Sequence, residues 1–450
     1  MNVSRVPLIV LAGTLIGFIG LGGCAGTSSE MKSNLLGGGV QNYVSLQTMT
    51  QAELTTFMTT TLGTAQGDPR FGTLPAAVDG TQIFKVTYNS VNFAGTPVTL
   101  SGAIALPLTG APKGMVIYMH GTSIGQNECP SAGVSGANAY NEAAIAVAAF
   151  ASGGYAVVMP DYVGQGVSTE AHPYVMGSKN APTGRDLAIA TYGIAQEVGC
   201  TIGTNLYVSG YSEGGGNAMA LCQLLQAQPI PGKVFKAGAT MSGPYDLSGA
   251  QRAMLMGPQQ PQPDDLQFAA VMLTGDISHA ANAYYGIKPN VIFKPLMASE
   301  IEPSFDGHMS NKDLVEHMAA VSALDGYTKQ ADGAYHLVDI MTPTAGAAMT
   351  LPDMNYPLIK MLEQYNTFSW TPNFPLYMVG LQTDTLVSFN NTINAIKAMR
   401  GLGVTNTGVN FHGASAPELN HLTAMPGLSI LARRFLDGGF AAVPTDADPG

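Results

Sequence analysis

Short apolar runs that alternate with helical stretches constrain the fold of this chain more than any other feature. Mainly apolar runs occur at 114–120 (GMVIYMH), 155–162 (YAVVMPDY), 205–212 (NLYVSGYS) and 234–243. Helical patterns lie between or beside them, at 138–154, 185–198 and 214–227. A strand that is apolar throughout is buried on both faces, which is typical of a parallel sheet covered by helices. The sequence therefore predicts an α/β fold with a mostly parallel sheet and helices on both of its faces.

A long interruption divides this pattern into two parts. Before the first part, alternating apolar and polar residues predict an antiparallel pair of strands at 84–93 and 98–108. After the interruption, strands are expected at 375–384 and 408–413 and helices at 388–401 and 422–436. We therefore expect one α/β domain, formed by residues 46–246 and 372–438, that carries an inserted, mainly helical cap at residues 247–371 and ends in a tail at 439–450.

The composition allows a large core and excludes several classes of protein. Of 450 residues, 46% are apolar and only 11% are charged, so intrinsic disorder is excluded for most of the chain. The net charge is −11 and no basic cluster occurs. We expect no nucleic-acid partner, because phosphate binding needs concentrated Lys and Arg. Four cysteines are too few for a disulfide-based scaffold.

The N-terminus has the features of an export signal. A basic residue, Arg5, precedes an apolar stretch at 6–21, which is shorter than the roughly 20 residues of a membrane span and fits a signal-peptide core. It leads to Leu21-Gly22-Gly23-Cys24, which resembles the lipobox of bacterial lipoproteins. That resemblance implies an exported protein anchored to the cell envelope through a lipid on Cys24, and Ala25 favours the outer membrane. The alternative is a secreted protein with a cysteine here by chance.

A tether and three further cysteines follow the predicted anchor. Residues 25–45 are expected to form a flexible tether, because most of this segment is small, polar or glycine. Cys222 lies in an apolar helical stretch and is expected to be a buried thiol. The sequence leaves open whether Cys129 and Cys200 form a disulfide.

A G-x-S-x-G motif at 210–214 identifies a candidate nucleophile, Ser212. It lies where a buried strand ends and a glycine-rich helix begins, which is the strand–turn–helix setting of a nucleophile elbow. Glycines on both sides of the serine fit a strained turn in which side chains would collide with the strand or the helix. A serine that merely caps a helix would not require both glycines.

A serine hydroxyl needs a base, which in turn needs an acid to orient it. Asp384 ends the strand at 375–384, and His421 lies in the loop after the next strand, so both lie at the sheet edge where Ser212 is expected. We therefore predict Asp384 as the acid and His421 as the base. Asp246, after the strand at 234–243, is the rival acid. His412 lies within a predicted strand and is expected to take part in packing.

The loop after the strand at 114–120 is expected to supply one amide of an oxyanion hole. It begins His120-Gly121-Thr122, and we favour the amide of Thr122, with Gly121 or Ser123 as alternatives. The second amide is expected from Glu213, directly after the nucleophile. No metal-binding spacing, P-loop or dinucleotide fingerprint occurs, so no metal and no cofactor are predicted.

Five segments and one pair of residues together resemble the α/β-hydrolase superfamily, and more narrowly its secretory lipase, or lipase A-like, branch. They are MVIYMHGT (115–122), MPDYVGQG (159–166), HPY (172–174), GYSEGGG (210–216), SGPYDL (242–247) and the Asp384/His421 pair. The resemblance implies a carboxylic-ester hydrolase with a helical cap over the site. It also implies that Asp161 and Tyr162 brace the loop that follows their strand.

The motifs predict a serine esterase or lipase that acts on a small-molecule or lipid-like ester through an acyl-enzyme intermediate. An acyltransferase or peptidase with the same three residues remains an alternative. A third hypothesis, from another class, is a lipoprotein that binds an apolar ligand on a catalytically inactive hydrolase fold. The sequence favours an enzyme because the nucleophile, acid and base positions are all filled.

Overall fold

The computed structural model describes residues 39–134, 142–261 and 263–449. The predicted lipidation site, Cys24, and the first part of the predicted tether lie outside the described residues. Among the helices that are described, none combines the length and the apolar character that a membrane crossing requires.

A single nine-stranded sheet forms the centre of the described structure. Its strands are β1 Val40–Met49, β2 Thr81–Val91, β3 Pro97–Pro107, β4 Met115–Met119, β5 Ala156–Pro160, β6 Asn205–Tyr211, β7 Val234–Met241, β8 Leu376–Leu381 and β9 Val409–Ala414. Their order is β1-β2-β3-β5-β4-β6-β7-β8-β9. β1, β2, β3 and β5 pair antiparallel, whereas every pair from β5 to β9 is parallel. The predicted, mostly parallel α/β sheet is confirmed.

Thirteen α-helices occur in the described ranges. They are α1 Gln51–Leu62, α2 Glu142–Phe150, α3 Gly177–Glu197, α4 Glu213–Ala227, α5 Arg252–Met256, α6 Ala269–Tyr285, α7 Pro289–Ile292, α8 Pro295–Ser304, α9 Asn311–Leu324, α10 Pro343–Thr350, α11 Pro357–Gln364, α12 Asn390–Gly401 and α13 His421–Gly438. Apolar side chains of α1, α2 and α13 cover one face of the sheet, and those of α3, α4 and α12 cover the other.

The seven helices α5 to α11 belong to the insertion between β7 and β8, and they share a hydrophobic core of their own. We call residues 247–371 the cap. Methionine is frequent in this core, with seven buried side chains: Met256, Met272, Met297, Met318, Met341, Met349 and Met361. Methionine fills irregular gaps between short helices because its side chain is unbranched and flexible. The cap begins with a π-helix, Leu247–Gln251.

The structure differs from the sequence-based expectation at the N-terminal end of the core. Residues 40–45, which were expected in the tether, form the first part of β1 and pair with β2. The terminal tail is attached to the sheet, because the Asp446 carboxylate lies 2.7 Å from His412 Nδ1 and accepts a bond from the Gly413 amide.

The cysteines Cys129, Cys200 and Cys222 are all buried free thiols, so no Cys129–Cys200 disulfide is present.

Candidate active site

Ser212 lies in a sharp turn between β6 and α4. Its backbone has φ +58° and ψ −128°, a strained conformation for a residue that is not glycine. A Cβ on Gly210 would lie 2.3 Å from the Gly214 carbonyl oxygen, and one on Gly214 would lie 2.1 Å from the Met119 carbonyl oxygen. Both glycines of the motif are therefore required by the close approach of helix and strands, as the sequence predicts.

The structure brings Ser212, His421 and Asp384 into one hydrogen-bonded line. Ser212 Oγ lies 2.9 Å from His421 Nε2, and His421 Nδ1 lies 2.7 Å from Asp384 Oδ2. The other carboxylate oxygen of Asp384 accepts bonds from the amides of Leu386 and Val387, at 2.9 Å each. Because the carboxylate faces Nδ1, the neutral imidazole carries its proton there and leaves Nε2 free to accept the serine proton.

The backbone around His421 fixes this arrangement. His421 is the first residue of α13, and the preceding Asn420 caps that helix by accepting bonds from two of its free amides. Tyr211, next to Ser212, donates its hydroxyl to the His421 carbonyl oxygen. Both His421 and Asp384 are buried.

Asp246, the alternative acid in the sequence analysis, caps a helix instead of facing His421. Its carboxylate accepts bonds from the amides of Gly249 and Ala250, at 2.9 and 3.0 Å, and from Asn394 Nδ2 at 2.7 Å. These contacts place it as the N-cap of the π-helix that opens the cap.

The loop after β4, residues 120–128, lies beside Ser212, and we call it the β4 loop. The backbone amides of Thr122 and Glu213 donate to no acceptor in the described part of the chain. Thr122 lines the same cavity as Ser212, and Glu213 follows Ser212 directly in the chain. The amide of Gly121 already donates to Glu142 Oε2 at 2.8 Å, so it is not free. Ser123 lines a different cavity, which does not include Ser212. Of the three candidates in this loop, Thr122 alone combines a free amide with a place beside Ser212.

Glu142 is a site residue that the sequence analysis missed. Its carboxyl group accepts from the Gly121 amide and, through Oε1, from the Tyr118 hydroxyl at 2.7 Å. Burial raises the pKa of Glu142 to about 8. The group therefore holds the β4 loop from the cavity side. The one signal in the sequence is that Glu142 is the only charged residue in the alanine-rich segment 138–154.

A cavity of about 550 Å³ opens above Ser212 and His421, between the core and the cap. Its apolar lining comes from both units: Leu266, Ala269, Met272, Leu273, Val315, Leu386, Leu422 and Met425. Polar groups of α9, among them Asn311, line another part of it. A largely apolar cavity with a few convergent polar groups is the usual form of a small-molecule site.

Asn311 connects the cap to the β4 loop. Its side-chain Oδ1 accepts a hydrogen bond from the backbone amide of Ile124 at 2.8 Å, and its backbone amide donates one to the Glu128 carboxylate at 2.6 Å. A backbone bond from Gln126 to Gly307, 3.0 Å long, adds to this attachment. Direct hydrogen bonds therefore join the cap to the β4 loop. No pattern in the sequence indicates this contact, because it joins residues far apart in the chain.

No protein-family model and no curated protein sequence matches the chain. Solved structures do match it. The esterase LipA of Xanthomonas oryzae, described as rice cell wall degrading, superposes with a TM-score of 0.72 at 20% identity, over 89% of this chain and 98% of LipA. The chain has the α/β-hydrolase fold. A Legionella pneumophila protein described as a candidate hydrolase (TM-score 0.71, 23% identity, 88% and 97% covered) and lipase A of Candida antarctica (0.55, 14%, 90% and 83%) share this fold.

The α/β-hydrolase fold explains why residues so distant in sequence meet. Ser212, Asp384 and His421 follow β6, β8 and β9, which run parallel, so their carboxyl ends share one edge of the sheet. Asp161 and Tyr162 follow β5 at the same edge. Asp161 accepts from Ser101 Oγ at 2.5 Å, and the Tyr162 hydroxyl donates to the His120 carbonyl oxygen at 2.8 Å.

Proposed function

We propose that this protein is a serine hydrolase that cleaves carboxylic esters through an acyl-enzyme intermediate. The observation that carries the proposal is the line from Ser212 Oγ to His421 Nε2 and from His421 Nδ1 to Asp384, which faces a cavity beside two free amides. Nucleophile, base and acid are thus within proton-passing distance before any substrate binds.

The geometry supports a two-step reaction. Ser212 Oγ attacks the ester carbonyl carbon while His421 Nε2 takes the hydroxyl proton, and the carbonyl oxygen becomes an oxyanion that accepts bonds from the amides of Thr122 and Glu213. His421 then gives its proton to the leaving alkoxide, which departs as the alcohol and leaves an acyl group on Ser212. A water molecule repeats the sequence and releases the acid. Asp384 stabilises the imidazolium in both steps.

The cavity lining supports an apolar acyl group. Leu266, Leu273, Val315, Leu386 and Met425 provide surfaces without hydrogen-bonding groups. The methionines of the cap contribute little to the cavity lining. Met272 is the only cap methionine in the described lining, and most of the others fill the cap's own core. We propose an ester with an apolar acyl chain as the substrate. The named esterase and lipase of the same fold are consistent with this proposal.

A comparison of two variants tests the proposal. Ser212→Ala should lower kcat on p-nitrophenyl esters by about 10⁴-fold or more, since the nucleophile is lost. Ser429→Ala is the matched control, because Ser429 is fully buried in the helix that begins with His421 and its hydroxyl has no partner among the described residues. It should keep the wild-type rate. Equal rates for wild type and Ser212→Ala would show that another group does the chemistry.

The N-terminal motif supports a location for this activity. We propose that the protein is exported and attached to the outer membrane through a lipid on Cys24, because the segment that ends in Leu21-Gly22-Gly23-Cys24 has the form of a lipoprotein signal. Cys24→Ser should move the protein from the detergent phase to the aqueous phase in detergent partitioning of whole cells. Wild-type protein in the aqueous phase would contradict the proposed anchor.

A further inference from the structure

One motif of the sequence has no part in the mechanism above. The segment His172-Pro173-Tyr174 lies between β5 and α3. It supplies neither the nucleophile, nor the base, nor the acid of the proposed reaction. Its two ring side chains are nevertheless buried beside the site, at 8% and 3% exposure. Each of them contacts a different residue of the proposed oxyanion hole.

His172 holds the side chain of Glu213. Its Nε2 lies 2.9 Å from Glu213 Oε1, and its Nδ1 lies 2.9 Å from the Val163 carbonyl oxygen. A carbonyl oxygen can only accept, so Nδ1 carries a proton and a further proton lies between Nε2 and the carboxylate. Burial alone would lower the pKa of His172, but the nearby Glu213 carboxylate outweighs it and raises the pKa. The contact is therefore a buried, charge-assisted hydrogen bond.

Tyr174 holds the side chain of Thr122. Its hydroxyl lies 2.9 Å from Thr122 Oγ1. Glu213 and Thr122 therefore each have a side chain in contact with this segment and a backbone amide that is free to bind the substrate. Pro173 lies between these two residues in the chain, and its ring restricts the backbone φ at that point. Tyr162 stacks on His172 at 5.4 Å between ring centres and holds that ring from behind.

We propose that His172 and Tyr174 are positioning residues that together fix the two amides of the oxyanion hole, one through the side chain of Glu213 and the other through that of Thr122. The inference rests on the proposed function, because it assigns those amides to the oxyanion. It goes beyond that function in giving the segment a catalytic effect without contact with the substrate. An amide displaced by a fraction of an ångström stabilises the oxyanion less, since the donor distance must be about 2.7–3.1 Å.

A double-mutant cycle tests the Tyr174 half. Tyr174→Phe and Thr122→Val each remove one hydroxyl and leave the Thr122 amide in place. Each should lower kcat on a p-nitrophenyl ester by about tenfold with little change in KM, because the oxyanion forms in both acylation and deacylation. The double variant should lose no more than either single variant, since the same contact is broken. Tyr245→Phe, which breaks a buried 2.8 Å bond to Thr240 Oγ1 away from the cavity, should keep the wild-type kcat.

A conservative substitution tests the His172 half. In Glu213→Gln the side-chain amide can donate to the Nε2 of a neutral His172, so the contact is retained without its charge. Glu213→Ala breaks it, and both variants keep the backbone amide. We expect Glu213→Ala to lower kcat by about tenfold and Glu213→Gln to restore most of that loss.

The outcomes separate the two proposals. Turnover that does not depend on Ser212 would overturn the proposed function and this inference with it. Ser212-dependent turnover in which Tyr174→Phe behaves like Tyr245→Phe, or in which the Tyr174 and Thr122 effects add, would overturn only the inference. A loss in thermal stability without a fall in kcat would also overturn it, because bracing of the fold alone would produce that result.

Discussion

Glu142 gives the most quantitative prediction, because its carboxyl group is buried while it holds the β4 loop. Its pKa is raised by burial from an ordinary value of 4.5 to about 8. The folded protein therefore binds a proton that the unfolded chain releases between these pH values. The stabilisation from that proton is complete below pH 4.5 and is lost as the pH rises through about 8. At 1.36 kcal/mol per pH unit, the difference amounts to about 5 kcal/mol.

Glu142→Gln should remove this dependence. Glutamine is neutral at every pH and keeps an acceptor for the Gly121 amide. Near pH 5 the variant and the wild type should differ by less than about 1 kcal/mol in the free energy of unfolding, since both side chains are then neutral. Toward pH 8 the variant should become more stable than the wild type by several kcal/mol, at up to about 1.4 kcal/mol per pH unit.

Urea unfolding at a series of pH values between 5 and 9 measures this difference. The fluorescence of Trp370, the only tryptophan, and the far-ultraviolet circular dichroism should give the same transition. Asp276, whose pKa burial also raises to about 8, is present in both proteins, so its contribution cancels. Glu363→Gln, which removes an exposed carboxylate, is the control and should change the unfolding free energy equally at each pH. A difference between Glu142→Gln and wild type that stays constant from pH 5 to 9 would refute the reasoning.

Three further predictions follow from contacts of the site. Asp384→Asn should lower kcat by about 10⁴-fold, because Asp384 faces His421. Asp246→Asn should keep kcat within a few-fold and lower the melting temperature, because Asp246 caps a helix. The opposite ranking of the two kcat values would make Asp246 the acid. Asn311→Ala should lower kcat by roughly tenfold and speed proteolysis of the β4 loop, while unchanged kcat would show that the cap does not position that loop. Gly214→Ala should prevent folding, because the added Cβ would collide with the backbone of β4. Gly193→Ala is the control: it lies at an exposed helical position without neighbours and should raise stability by up to about 1 kcal/mol in thermal unfolding. A folded, active Gly214→Ala would contradict the close packing around Ser212.

Much of the sheet could be predicted because its strands are buried on both faces. The runs at 114–120 and 205–212 contain β4 and β6 almost residue for residue, since a buried strand leaves a continuous apolar signal. β1 gave no such signal. It is an edge strand whose side chains are mostly exposed, so its residues look like those of a polar tether.

The places of Ser212, Asp384 and His421 in the fold were easier to predict than the contacts around them. Ser212, Asp384 and His421 follow strands whose order along the chain is fixed by the fold, so position alone places them at one edge. Glu142, Asn311 and His172 instead make contacts between distant segments, and those contacts arise only from the folded geometry. Asp246 and Asp384 both follow buried strands, and the structure distinguishes them by the groups that their carboxylates face.

Trapping the acyl-enzyme is the most direct test of the proposed reaction. The protein is mixed with a p-nitrophenyl ester, quenched with acid within the first turnovers, digested and measured by mass spectrometry. We expect one added acyl group on the peptide that contains Ser212, and none in Ser212→Ala. Release of p-nitrophenol with no acyl group on that peptide, or with the group on another side chain, would contradict it.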